Sequence, residues 1–264
     1  MNMKAIFMFP FVFLYSSCSD NSFTELDTAN VPVVEAYLKV GQPLSVKIRT
    51  VIPYGTSSTN VVDINTLTVT VTVDTITRQL LSVGGGNYVD SSLVIAENKE
   101  YELQVNYNGK MVTASTVVPT KPENFSQSAS EITIPTFDFN SGTRPTFPDP
   151  VKLTWVNTDQ TYYVVIIENM ETSPIQVDES NNRPVRVFRN APSQNSSYEI
   201  GAMQFQYLGK HRLILYHLHP EYAALFNENG ENSLNLKEPA TNIQNGLGIF
   251  TATNSDTLLL NVKK

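Results

Sequence analysis

The sequence holds one cysteine in 264 residues. A single thiol excludes an internal disulfide and any multi-cysteine metal cluster. Positive charge is scarce: 18 Lys and Arg stand against 25 Asp and Glu, a formal net charge of −7. A protein that neutralises phosphates carries the opposite balance, so nucleic acid is not an expected partner. Apolar runs long enough to attract notice occur once, at the N-terminus, which excludes a multi-span helical membrane protein. Nucleophile and metalloprotease signatures are missing: there is no Gly-x-Ser-x-Gly elbow and no His-Glu-x-x-His. No enzymatic activity and no cofactor are expected. What remains is 41% apolar and 10% aromatic residues, ample for a sizeable core and too much for a disordered chain.

The N-terminal run reads as an export signal over residues 1–17. Lys4 supplies the basic start, and Ala5 to Tyr15 is an apolar stretch of 11 residues, too short to span a bilayer. Leu14-Tyr15-Ser16-Ser17-Cys18 then resembles the lipobox of bacterial lipoproteins, with leucine four positions before the cysteine, one further than in the strict pattern. In such proteins the signal is cut before the cysteine and the thiol receives a diacylglycerol. The only cysteine sits where that chemistry needs it, so Cys18 is the expected lipidation site. The plainer alternative is a secreted protein with an incidental thiol. Residues 18–30 are polar and aperiodic, as a flexible tether should be.

The remainder is dominated by period-two alternation. Leu67, Val69, Val71 and Val73 share one face and Thr68, Thr70 and Thr72 the other. Leu44, Val46 and Ile48 alternate with Ser45, Lys47 and Arg49, and Val33 to Val40 reads as another strand. Tyr101 to Tyr107 and Val112 to Val118 flank Asn108-Gly109, the strongest short-range hairpin signal, because a type I′ turn needs positive φ at both central residues. This pattern over residues 31–120 predicts an immunoglobulin-like sandwich. Residues 121–150 hold five prolines and read as a linker with one short edge strand, Glu131 to Ile134. Strands resume at Val151 to Val156, Tyr162 to Glu168, Pro184 to Phe188, His211 to Leu218 and Thr257 to Val262. With Trp155 on an early strand, residues 151–264 predict a second sandwich of fibronectin type III character. It carries one helix, Pro220 to Asn229, opened by proline and closed by Gly230, with Tyr222, Leu225 and Phe226 on one face. The expected fold class is therefore all-β, two sandwiches in tandem.

Three stretches carry a family resemblance: Val33-Val34-Glu35-Ala36-Tyr37-Leu38, the hairpin Tyr101 to Pro119, and Asn242-Ile243-Gln244-Asn245-Gly246-Leu247-Gly248-Ile249-Phe250. Together they resemble the Bacteroidota lipoprotein family labelled domain of unknown function 4249. The resemblance implies an outer-membrane lipoprotein, often encoded beside a TonB-dependent transporter, and implies no catalytic residues. Acidic residues soon after Cys18 (Asp20, Glu25, Asp27) also resemble surface-export signals of some lipoproteins in that phylum.

Candidate sites each have a plain counterpart. Asn245-Gly246-Leu247-Gly248 and Gly84-Gly85-Gly86 lack the helix and Lys-Ser/Thr of a phosphate loop and read as turns or close backbone approaches. His211, His217 and His219 share one strand face. His217 and His219 lie about 7 Å apart along the strand, within reach of one metal ion, with Glu221 as a further carboxylate, whereas His211 is about 20 Å from His217. The plain alternative is a strand end emerging from the core. Asp178 and Glu179 are adjacent carboxylates, but a glycosidase pair is defined by spacing in three dimensions. Phe137, Phe139 and Phe147 suit a sugar-stacking platform, a protein-docking patch or a plug between the sandwiches. Thr28, Thr75 and Thr257 each follow an aspartate, resembling the Asp-Ser/Thr-aliphatic O-glycosylation pattern of periplasmic proteins in that phylum.

The sequence thus points to a lipid-anchored outer-membrane accessory or binding protein beside a TonB-dependent transporter in nutrient uptake. The alternative is an adhesin or structural spacer with no transporter. Protein purified from its native host should stain with periodate if Thr28, Thr75 or Thr257 is glycosylated; a negative stain removes all three.

Overall fold

The computed structural model describes residues 31–51, 62–135, 146–178, 182–227 and 241–264. Cys18, the signal, the tether with Thr28, Phe137, Phe139, Glu179 and Gly230 lie outside the described residues. The chain is all-β. The first group of strands is β1 (Pro32–Lys39), β2 (Pro43–Thr50), β3 (Val69–Val73), β4 (Ile76–Gly84), β5 (Asn87–Val94), β6 (Glu100–Tyr107) and β7 (Lys110–Val117). The second is β8 (Ser126–Gln127), β9 (Glu131–Thr133), β10 (Val151–Thr154), β11 (Tyr162–Asn169), β12 (Val187–Arg189), β13 (Ser197–Ile200) and β14 (Gly209–Leu218). A short helix α1 (Pro220–Asn227) and the strand β15 (Leu247–Lys263) complete the order.

Two hydrophobic cores result. In the first, Val34, Ala36 and Leu38 of β1 and Leu44, Val46 and Ile48 of β2 face Val69, Val71, Leu103 and Val105 of β3 and β6. Each set is every second residue, so alternation alone decides which side chains enter the core. The second core sets Val165, Ile167, Leu213 and Leu215 of β11 and β14 against Val151, Leu153 and Ile200 of β10 and β13. Trp155 is buried there between Phe125 and Tyr163, with ring centroids 6.5 Å and 5.6 Å away. The predicted hairpin forms as expected: Asn108 and Gly109 have φ of 50° and 79°, and Tyr107 pairs with Lys110. Among the described residues no helix is long and apolar enough to cross a membrane.

The boundaries drawn from the sequence need two corrections. Residues 121–150 are not only a linker: Phe125, Ile132 and Ile134 belong to the second core, and β8 and β9 pair with β10 and β15. The last strand is also not confined to Thr257–Val262 or to the second sandwich. β15 starts at Leu247 and runs 17 residues. Its first half pairs in parallel with β1, from Val33↔Leu247 to Lys39↔Thr253. Its second half pairs antiparallel with β14, from Leu218↔Thr253 to Gly209↔Val262. One sheet therefore continues through both sandwiches in the order β12-β11-β14-β15-β1-β2-β5-β4-β3-β6-β7. The early half of β15 escaped detection because Ile249 to Asn254 are all buried, which erases the period-two signal.

The stretch Asn242–Phe250 threads the chain back into the first sandwich. Gln244 exchanges two backbone hydrogen bonds with Thr113 of β7, at 2.8 and 3.2 Å. The Asn242 side chain donates to the Phe250 carbonyl at 2.7 Å and accepts from its N–H at 2.9 Å, substituting for a missing strand neighbour. Gly248 has φ of 99°, and a Cβ there would lie 2.0 Å from the Val34 carbonyl oxygen. The glycine is thus required by the approach of β15 to β1. Gly248→Ala should abolish folding or lower stability by more than about 3 kcal/mol, beyond ordinary backbone strain. Gly41→Ala, at φ of 80° with open space around it, should cost only about 1 kcal/mol. Urea unfolding of the two variants checks the contrast.

Candidate functional site

The histidines occupy structural posts. His211 is buried in the second core, its Nδ1 donating to the Gly209 carbonyl at 3.0 Å and its Nε2 facing the Asn169 amide at 3.3 Å. Phe205 meets the ring edge-on at 5.3 Å. His217 stacks on Tyr163 at 4.8 Å and donates from Nδ1 to the Thr120 carbonyl at 3.0 Å. His219 donates from Nε2 to the Val117 carbonyl. Both carbonyls lie at the end of the first sandwich, so His217 and His219 tie β14 to the segment that leaves β7. One ring nitrogen of each of these candidate metal ligands is thus engaged by a backbone oxygen, and Glu221 turns instead to accept from Thr251 at 3.1 Å. Among the described residues no three His, Cys, Asp or Glu side chains form a metal-binding group. Asn254 reinforces the same junction, donating to the Pro119 carbonyl at 3.0 Å and to Glu97 at 3.1 Å.

Of the other residues singled out, Thr75 is exposed at the tight turn between β3 and β4, where Asp74 and Thr75 have φ of 48° and 68°. Thr257 is exposed on β15 opposite Ile214. Phe147 is 43% exposed. Gly84, Gly85 and Gly86 form the β4–β5 turn, all with positive φ.

The concavity with the richest chemistry lies on the outer face of the continuous sheet, where β11, β14, β15 and β1 run side by side. Alternation places it. The outward-facing residues of β1 include Tyr37 and Lys39; those of β14 include Tyr216 and the buried Leu218; those of β11 include Ile166 and the buried Val164. With Thr253 of β15 they floor a cleft of about 230 Å³. Helix α1 closes one side with Tyr222 and Phe226, four residues apart and hence on one helix face. Arg189 of β12 forms the far rim, its guanidinium 4.5 Å from the centre of the Phe226 ring. Tyr37 and Tyr222 are 5.3 Å apart and Tyr222 and Phe226 5.8 Å apart, so an aromatic chain runs from the first sandwich to the helix.

Burial raises the Tyr37 hydroxyl above its ordinary pKa, with Tyr222 and Glu35 adding to the effect. Burial also raises Tyr222, partly offset by the Arg189 charge. Both hydroxyls stay protonated and can donate as well as accept. Glu35, the carboxylate beside Tyr37, is engaged by Arg49 at 2.5 Å. Lys39 and Arg189 make no ion pair among the described residues. The cleft is thus cationic within an acidic protein.

The sequence pattern puts Tyr222 and Phe226 on one helix face and Tyr37 on a strand, and no local pattern joins them. One signal was available: Tyr162-Tyr163-Val164-Val165-Ile166-Ile167 is apolar on both faces, the mark of a strand covered on both sides.

The family model described as Domain of unknown function (DUF4249) matches residues 20–258, and the chain belongs to that family. No curated protein matches the chain. Among solved structures, the chicken CNTN1 FN1–FN3 domains align over 88% of this chain and 67% of that one, at 11% identity and a TM-score of 0.30.

The histidine posts make stability depend on pH. Desolvation holds His211 and His217 below their ordinary pKa, while hydrogen bonds to Gly209 and Thr120 oppose the shift only in part. The unfolded chain therefore binds protons that the folded state refuses, and stability falls as pH drops below the ordinary histidine value of 6.5. Asp90, held down to about 2 chiefly by hydrogen bonds from Ser92 with Arg78 adding, loses its contribution only below the ordinary carboxylate value of 3.8. The unfolding temperature should decline between pH 7 and pH 5, and His217→Gln should make that decline shallower. An unchanged slope in the variant would remove His217 from the account.

Proposed function

We propose that this member of the family is a lipid-anchored accessory or binding protein of the outer membrane, working beside a TonB-dependent transporter in nutrient uptake. The observation that carries the reading is Cys18, the only thiol in the chain, placed directly after an 11-residue apolar run and two serines. A thiol ending an export signal is the substrate that lipid transfer requires, and an anchor of this kind sets location without a membrane-crossing helix. The tether of residues 18–30 would give the body reach above the bilayer. Two sandwiches joined through one shared strand supply a stiff, acidic body, suited to docking on a membrane partner or presenting a site.

The second reading, an adhesin or spacer with no transporter, draws on that same stiffness. The two separate in a mild-detergent pull-down from native outer membranes. A TonB-dependent transporter recovered in stoichiometric amount is the expected result; recovery of the lipoprotein alone across several detergents favours the spacer. The anchor has its own test. Labelled fatty acid should enter the wild-type protein and not Cys18→Ala, and label in neither would overturn lipidation and the location derived from it.

A further inference from the structure

The cleft on the outer face of the shared sheet has a chemistry that the anchor and fold leave unused. Its walls are aromatic, yet three of the rings, Tyr37, Tyr216 and Tyr222, carry hydroxyls. Two cations, Lys39 and Arg189, line it, and neither is neutralised by a carboxylate among the described residues. A site of this kind selects a ligand with three properties. It must offer a face that lies against aromatic rings, several hydroxyls to satisfy the tyrosines, and a negative charge. A flat aromatic acid meets the first and third and leaves the tyrosine hydroxyls without partners, which costs binding energy. A free inorganic anion meets only the third. A neutral sugar leaves the cations unmatched. A sugar acid meets all three: the C–H face of a pyranose stacks on aromatic rings, its hydroxyls exchange hydrogen bonds with tyrosines, and its carboxylate suits a guanidinium and an ammonium.

We propose that this cleft binds a single sugar-acid ring, with Tyr37 and Tyr222 as stacking and hydrogen-bonding groups and Arg189 and Lys39 as the carboxylate-binding groups. The size agrees. Sites for drug-sized ligands occupy roughly 300–1,000 Å³. The 230 Å³ here suits one ring rather than an oligosaccharide. The wall is also composite: Tyr37 and Lys39 come from β1, Arg189 from β12 and Tyr222 from α1, so the site exists only when the two sandwiches share β15. Raised pKa values at Tyr37 and Tyr222 keep both hydroxyls neutral across the physiological range, which avoids repelling the carboxylate.

The test is isothermal titration of the full chain in mild detergent with D-galacturonate and D-glucuronate, alongside D-galactose and benzoate. At least one uronate should saturate the protein at about millimolar concentration, the range open to a small polar ligand. Galactose and benzoate should bind at least tenfold more weakly. Arg189→Gln and Tyr37→Leu alter exposed side chains and should each weaken uronate binding at least tenfold with the unfolding temperature unchanged. If either variant fails to fold, Lys39→Gln, also exposed, replaces it. Three results overturn the proposal: no saturation by either uronate, equal or tighter binding of galactose or benzoate, or uronate binding that the folded variants leave intact. The proposal stands apart from the transporter reading, since a pull-down without a transporter would leave the titration unaffected.

Discussion

The pairing of one strand with two sandwiches is the constraint on which the structure rests. β15 lies parallel to β1 up to Thr253 and antiparallel to β14 from that residue onward. A parallel pair needs a long crossover, and here the crossover is nearly the whole chain. The first sandwich therefore cannot complete its sheet until the C-terminal segment has returned. Phe250 and Ala252, fully buried in the first core, come from that segment, while Leu260 and Val262, ten residues on, belong to the second. Burial of a side chain the size of Phe250 contributes about 2–3 kcal/mol, so each core holds the strand that the other requires. Tandem sandwiches joined by a linker can move independently; two that share a hydrogen-bonded strand move together or not at all.

That dependence explains where the specific residues fall. Gly248 sits where β15 approaches β1 so closely that any side chain would strike the Val34 carbonyl. Asn242 hydrogen-bonds the backbone of Phe250 on the side where β15 lacks a neighbour. The stretch Asn242–Phe250 thus serves the assembly of the two sandwiches. At the junction itself the backbone carbonyls of Val117, Pro119 and Thr120 leave β7 with no sheet partner, and His219, Asn254 and His217 each donate to one of them. The Pro119 carbonyl is buried, and left unpaired it would cost more than a single hydrogen bond contributes, so Asn254 is the polar group this junction needs most.

The same continuity creates the cleft. An isolated sandwich turns the outer face of its sheet to water and places polar residues there. Here the outer face of β11, β14 and β1 is partly roofed by α1, and Val164, Ile166, Tyr216 and Tyr37 occupy it. Aromatic rings with polar tips are the economical way to line a surface that is half dry and half wet. Lys39 and Arg189 reach the rim from strands on either side of the cleft, Arg189 resting on the Phe226 ring, and neither forms an ion pair with a carboxylate among the described residues.

Much of this was legible in the amino-acid order alone. Period two in Leu44–Arg49 and Val69–Val73, the Asn108-Gly109 turn and Pro220 at the start of α1 depend on local backbone geometry, which nearest neighbours dictate. So the all-β class, the inward faces of β1, β2, β3, β6 and β7, and the helix follow from short windows. What only the tertiary structure decided is every relation between distant segments: that Leu247–Thr253 joins the first sandwich, that Phe125 and Ile132 enter the second core, that His217 and His219 each bond one backbone carbonyl, and that Tyr37 meets Tyr222. The reason is physical. Alternation records which way a side chain points and is lost where both faces are buried, as along Ile249–Asn254. No local pattern encodes which strand becomes the neighbour, because that choice is made by the summed packing of two cores that form only when the chain closes on itself.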